Sequence, residues 1–395
     1  VKEPVLTGSH SAVYRLIIYL FFAYSTNTVI ISYISVFYRE EGLSGSEVGI
    51  LMAVGPMAML VAQPIWGYLS DKFKTIKRML MIALIGLILT ASLYYITSGF
   101  YQYIIVMFVL FLFLSPITPL GDSLAQKTAN YRGLNFGRLR MWGSFGFATT
   151  SLITGYILSI IGVNHFVIPL ITMAFIAFIC ACLVEDVPGS TKPVTIIHAL
   201  KIGVNKKLAL FLGCIIFISI PHRTNDSYLG IYIIELGGLE SMIGWAWFIA
   251  VIAEAFVFAI SLTWFKNIHP IKLIIAAAFI FVIRWTLMSF ITNPWFILPL
   301  QVLHGFSFGL IYITALQYVS KMFPEQLQAT GHVLFITTFF ALSGIIGSLL
   351  GGIIMDIFSI AHMYFLMGLS SFIGMILFVI FLLFQEKKEH IKEGL

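Results

Sequence analysis

The sequence predicts an all-α membrane protein with twelve transmembrane helices in two six-helix bundles, and three observations carry that. Of 395 residues, 59% are hydrophobic and 10% charged, with a mean hydropathy of +0.99, whereas a soluble domain carries about 25% charged residues. Twelve apolar runs reach the roughly 20 residues that a spanning helix needs. The longest polar break, Glu185–Lys207, follows the sixth run and divides the chain into six plus six.

Taken in order, Val1–Tyr14 holds Lys2, Glu3, Pro4 and His10 without the apolar core and small-residue cleavage site of a signal peptide, so the first run is expected to stay as a span. The first bundle, residues 1–184, places spans near 13–38, 46–70, 79–98, 101–126, 139–161 and 165–184. Residues 185–207, with Pro188, Gly189 and Pro193, read as a linker, and Ile196–Val204 as a short amphipathic helix on the membrane surface. The second bundle, residues 208–395, places spans near 208–235, 242–265, 272–292, 295–321, 329–355 and 362–384.

The net charge of +6 follows topology rather than a nucleic-acid surface. Nineteen of 23 Lys and Arg residues fall beside one set of loops, Arg39 falls in the other set, and Arg140, Arg223 and Arg284 are intramembrane. The positive-inside rule then places both termini in the cytoplasm, in a multi-pass protein of the plasma membrane. Cys180, Cys182 and Cys214 lie in or beside spans with no metal-ligand histidine next to them. Neither a disulfide nor a metal site is expected, and no cofactor beyond a coupling proton.

Charges inside the spans carry the functional signal, because an unpaired charge in hydrocarbon is costly and commonly marks a transport pathway. In Asp122–Phe147, DSLAQKTANYRGLNFGRLRMWGSFGF, an acid and Arg140 flank a basic turn. If Lys127–Gly137 joins two helices, Asp122 and Arg140 enter the membrane by similar depths and face each other. Asn27 is the other deep polar residue of the first half.

In the second half, His222, Arg223 and Asp226 fall at i, i+1 and i+4, so both His222 and Arg223 share a helix face with Asp226. An Arg223–Asp226 pair either neutralises itself or takes part in transport. Pro221 before the cluster suggests a kink or break, and broken helices often sit at transporter sites. Glu254, Arg284 and His304 lie deep in three consecutive spans, where convergence would build a second charged centre.

Six plus six with a central loop is the plan of transporters built from repeated halves, in which the solute sits between bundles and access alternates by rocking. The loop GYLSDKFKTIKR resembles the signature of the major facilitator superfamily, with Lys74 where many members have glycine. That resemblance implies a gate: Gly67 permits close helix contact, and Asp71, with Lys72 and Arg78 nearby, latches one side. The FGRLRMWGSFGFA segment, with Asp122 eighteen residues before Arg140, resembles the lactose permease branch, the oligosaccharide:proton symporters, and their phenylpropionate and nucleoside permease relatives. So do QPIWGYLSDKFK, AEAFVFA around Glu254, VIRWTLMSF around Arg284 and LQVLHGFSF around His304.

The resemblance implies that Asp122 and Arg140 grip substrate hydroxyls, Asp122 being one methylene shorter than the permease glutamate. It implies that Phe147 stands where a tryptophan stacks on a galactosyl ring, an apolar face being retained. Ser307 replaces the carboxylate that follows the permease histidine by three residues, so the proton needs another carrier. Glu254 is the first choice and Asp226 the second, because desolvation favours a neutral carboxyl while Arg284 or Arg223 favours an ionised one.

The expected function is therefore proton-coupled import of a small polar solute, such as a sugar, nucleoside or aromatic acid, by a monomer that binds no nucleic acid. Asn27, Asp122, Arg140, Phe147, Glu254 and His304 would bind substrate, while Glu254, Asp226, Arg284, His304, Arg223 and His222 would handle the proton. The alternative is proton-antiport export of drugs or metabolites, which the many Phe and Met residues would suit. A transport-like sensor or a lipid-handling protein is a third reading, and the short loops disfavour the sensor. No nucleotide loop, metal motif or nucleophile–base set points to an enzyme.

Overall fold

Why twelve apolar runs become helices follows from the solvent: without water to satisfy them, backbone N–H and C=O groups must pair within each segment. The computed structural model describes residues 10–186, 206–264, 268–323 and 328–393. Among these, twelve helices are long and apolar enough to span a bilayer: α1 Ser11–Glu40, α2 Gly45–Lys72, α3 Ile76–Tyr95, α4 Phe100–Arg132, α5 Phe136–Ile161 and α6 Val163–Leu183, then α7 Lys206–Glu235, α8 Glu240–Ile260, α9 Pro270–Ser289, α10 Pro294–Met322, α11 Thr330–Ile357 and α12 Ile360–Phe384. Every expected span is present. Most of the expected linker, including the amphipathic helix at Ile196–Val204, lies outside the described residues.

Three spans depart from regular helix in their interiors. α4 is interrupted at Ser115–Pro116, where a proline cannot continue the ladder. α10 and α11 contain π-helical turns at Gly305–Gly309 and Thr337–Leu342, a feature frequent at functional sites. Of the kink or break expected at Pro221, the break is absent, and α7 runs through the proline. The proline leaves the Phe217 carbonyl, four residues back, without its helical donor. Ser370 of α12 donates to that carbonyl at 2.8 Å, which lets the helix continue.

Among the described residues the two halves pack chiefly through α1 with α7, α2 with α11, and α5 with α8. The contacts cluster at the end opposite the lysine- and arginine-rich turns, called here the outer end. At α5–α8, Ser151 Oγ donates to the Gly244 carbonyl at 2.9 Å and Ser241 N–H to Ser159 Oγ at 2.9 Å. Arg39 and Glu235 approach to 3.7 Å. At α2–α11, Gly352 is so close to Gly45 that any Cβ would collide with the Gly45 carbonyl. Beside it, Asp356 accepts from Gly45 N–H at 2.6 Å and Ser46 N–H at 2.7 Å, answering two orphan donors at a helix start.

Among the described residues the basic end has no such seam at its signature loop. Gly67 faces open space, with no atom within 4 Å of a Cβ built there, so the close contact expected of it is not made in this conformation. With Asp71, Gln63 and Ser123 it lines a cleft of about 220 Å³ between α2 and α4. Asp71 is close enough to Lys127 to feel its charge, and Lys72 sits 5.7 Å over the Tyr68 ring of its own helix. The Arg78 amide donates to the Thr75 hydroxyl that caps α3, and Asp186 accepts from Ile76 and Lys77 amides at 3.1 and 3.0 Å.

Candidate functional site

The first-half centre is held by three helices. Arg140, one turn into α5, places Nε 3.3 Å from Asp122 Oδ2 on α4. Tyr24 of α1 donates its hydroxyl to the same oxygen at 2.6 Å. The Tyr24 ring lies beneath the guanidinium, 3.9 Å from ring centre to the central carbon, a cation–π contact that orients the arginine. Arg140 also donates to Ser144 at 3.3 Å. The pair is only partly buried, at 33% and 31% side-chain exposure for Arg140 and Asp122, which leaves donor and acceptor capacity for a third party. Asp122 Oδ1 has no protein partner.

The second-half centre brings together all three expected residues. Gly305 lets α10 approach the α8 backbone at Ala253, where a Cβ would collide, and this sets His304 beside Glu254. His304 Nε2 lies 3.8 Å from Glu254 Oε2, while Arg284 lies 3.1 Å from His304 Nδ1. An arginine can only donate, so Nδ1 accepts and the ring proton sits on Nε2, facing the carboxylate. Arg284 is fully buried, bonded to Gln301 Oε1 at 2.6 Å and stacked over Trp285 at 4.4 Å. Arg284 therefore does not pair with Glu254 directly, as a shared arginine would require; His304 stands between them.

A third group adjoins these two. Arg223 and Asp226 are paired within α7, and His222 Nε2 is 3.8 Å from Asp226 Oδ2. The His222 ring stacks on Phe308 at 4.3 Å and lies 5.5 Å from the His304 ring, which links the cluster to the Glu254 centre. Ser307 instead bonds back to the Leu303 carbonyl of its own helix at 2.7 Å.

Glu254 lies within range of the Arg140 charge, and Tyr312 of α10 within range of Arg140, Glu254 and Asp122. Phe147 packs edge-to-face on Trp247 of α8, 5.8 Å between centroids, and Trp247 lies 6.5 Å from His304. A cavity of about 440 Å³ extends toward α2 and α11, lined by Asn27, Arg223, Asp226 and Tyr312 among others. Sequence reasoning missed Tyr24, Trp247, Gln301 and Tyr312, whose residue types are ordinary in apolar spans. Only Gln301, a buried amide three residues before His304, carried a polarity signal.

Comparison with known proteins gives the family. A family model described as "MFS_1 like family" matches residues 13–366. The chain is similar to a maltose permease of Geobacillus stearothermophilus, 29% identical with 94% of this chain and 93% of that protein covered. It is equally similar to the transporter YwbF of Bacillus subtilis (strain 168), at 30% identity with 94% and 93% covered. Its fold superposes on a crystal structure of the nucleoside transporter NupG with a TM-score of 0.80 at 12% identity, covering 94% of this chain and 99% of that one. The chain thus belongs to the MFS_1-like family, within the major facilitator superfamily of membrane transporters.

Proposed function

We propose that this transporter imports a small polar solute, such as a sugar, nucleoside or aromatic acid, together with a proton, working as a monomer in the plasma membrane with both termini cytoplasmic. The observation that supports this most is that Phe147, two turns beyond Arg140 in one half, packs on Trp247 of the other at 5.8 Å, and Trp247 lies 6.5 Å from His304, which faces Glu254. A solute held by Asp122 and Arg140 then touches the electrostatics of Glu254, so solute and proton are coupled through charge rather than through distant motion. The similarity to a maltose permease favours a hydroxylated solute.

In this reading Asp122 and Arg140 grip hydroxyls, with Tyr24 fixing the arginine plane. Phe147 and Trp247 close the outer end of the space. Glu254 holds the coupling proton, and His304, its tautomer fixed by Arg284 on Nδ1, directs its Nε2–H at the Glu254 carboxyl and orients it. The Asp226–Arg223–His222 cluster serves the same proton chain through the His222–His304 contact. Alternating access exchanges the outer seam for a seam at the basic end, where Gly67 and Asp71, with Lys72 and Arg78, close the signature loop.

The test is equilibrium binding and proteoliposome uptake over maltose, sucrose, uridine and phenylpropionate. With an inward proton gradient, at least one solute should accumulate, and Asp122→Asn and Arg140→Ala should abolish its binding while the protein keeps its thermal transition. Accumulation that survives both substitutions would overturn the grip.

A further inference from the structure

The buried cation of the second-half centre is held without an anion. Arg284 is fully buried, and among the described residues no carboxylate oxygen lies within 4.0 Å of it. Its two end nitrogens instead reach neutral acceptors, His304 Nδ1 at 3.1 Å and Gln301 Oε1 at 2.6 Å, and the guanidinium lies over the Trp285 ring. A buried charge normally pairs with an opposite one, so the shorter of these contacts, to Gln301, carries much of the restraint on the arginine.

Backbone geometry explains how one guanidinium spans both acceptors. The His304 N–H bonds the Gln301 carbonyl at 3.0 Å and the Gln301 N–H bonds the Leu298 carbonyl at 3.1 Å. These are i to i−3 contacts of the 3₁₀ type, in which side chains three apart eclipse. Gln301 and His304 therefore stand one above the other on α10, against Arg284 of α9. The Gln301 side chain is itself fixed, because its Nε2 donates to the Ile297 carbonyl at 3.2 Å. That contact assigns Oε1 as the end turned to the arginine. The series Ile297, Gln301, Arg284, His304 thus ends on a ring whose Nδ1 accepts and whose Nε2–H faces Glu254 Oε2 at 3.8 Å.

Competing partners are near. Asp226 of α7 and Tyr364 of α12 lie within range of the Arg284 charge, although Asp226 is already paired with Arg223. The His222 ring of α7 is 5.5 Å from that of His304, and Arg140 of α5 and Tyr312 of α10 lie within range of Glu254. An arginine released by Gln301 is free to turn toward Asp226, and His304 Nδ1 then loses the donor that keeps it unprotonated.

We propose that Gln301 is a positioning residue of the proton centre: it holds Arg284 on His304 Nδ1 and so keeps the ring proton on Nε2, aimed at Glu254. The consequence for pH dependence rests on the import reading, in which Glu254 carries the coupling proton; the tautomer itself does not.

Purified protein labelled with ¹⁵N in its histidine rings is read by NMR, His304 being assigned as the signal lost in His304→Gln. In the parent, Nδ1 should be the unprotonated nitrogen, and a parent ring protonated on Nδ1 overturns the role without any further variant. In Gln301→Met, similar in size but unable to accept, the ratio of Nε2–H to Nδ1–H forms should fall roughly fivefold or more, the weight of one hydrogen bond. Gln301→Glu keeps an acceptor at the same reach and should restore the parental ratio. An unchanged ratio in folded Gln301→Met, or a fallen ratio in both variants, contradicts the role. In proteoliposomes the pH midpoint of gradient-driven uptake should move by roughly half a unit or more in Gln301→Met, with solute affinity at the plateau within about twofold of the parent. If the tautomer follows Gln301 while the midpoint stays fixed, the positioning role stands and the assignment of the coupling proton to Glu254 fails.

Discussion

Replacing Asp356 by asparagine tests the outer seam. Its two carboxylate oxygens accept from the first two amides of α2 at 2.6 and 2.7 Å, across the α2–α11 contact where Gly352 meets Gly45. Asparagine keeps one acceptor, turns an amide N–H₂ toward the other donor and removes the negative charge from a helix N-terminus. A hydrogen bond to a charged group is worth about 1.5–3 kcal/mol and the dipole interaction about 0.3–1 kcal/mol. Asp356 is exposed, so solvent screening reduces the loss to about 1–2 kcal/mol. That shifts the balance between outer-closed and outer-open forms by roughly five- to thirtyfold. Spin labels at Ile96 and Phe290, both strongly exposed on outer turns of opposite halves, report it by pulsed dipolar distances once Cys180, Cys182 and Cys214 are serine. A longer population should grow in Asp356→Asn and dominate in Gly352→Leu. An unchanged distance distribution in both variants would refute the latch.

Much of the fold was legible because the bilayer imposes one rule on every span. All twelve helices lie where apolar run lengths put them, and Asp122 meets Arg140 because their shared turn fixes both at one depth. The remainder depends on contacts between helices remote in sequence. Nothing local to Asp356 announces that it caps α2, 310 residues away, although its spacing from Gly352 repeats that of Gly67 and Asp71. Pro221 looked like a break because the rescue of Phe217 comes from Ser370 on another helix. The π-turns of α10 and α11 have no composition signal of their own. Tyr24 was unremarked because a tyrosine becomes a site residue only through what it faces.

Two further substitutions test local readings. Gln301→Ala should lower stability by about 1–3 kcal/mol, since it removes the 2.6 Å acceptor of a fully buried guanidinium and leaves Arg284 its contact with His304; a thermal melt within error of the parent would contradict that role. Lys74 has φ of 51° at the end of α2, where Thr75 N–H reaches the Ser70 carbonyl and Lys74 N–H the Asp71 carbonyl, the pattern of a glycine-type helix stop. Left-handed backbone costs a side-chain-bearing residue about 1–2 kcal/mol and glycine's chain entropy about 0.5–1 kcal/mol. Lys74→Gly should therefore raise stability by roughly 0.5–1 kcal/mol, and a lowered transition temperature would count against the assignment.

The coupling assignment turns on Glu254, which faces His304 Nε2 at 3.8 Å and lies within range of the Arg140 charge. The decisive measurement is paired transport in proteoliposomes containing Glu254→Gln: exchange of labelled for unlabelled solute without a gradient, and net uptake driven by an inward proton gradient. Exchange should proceed at close to the parental rate while accumulation against a gradient is lost. Concentrative uptake that persists in Glu254→Gln would contradict it.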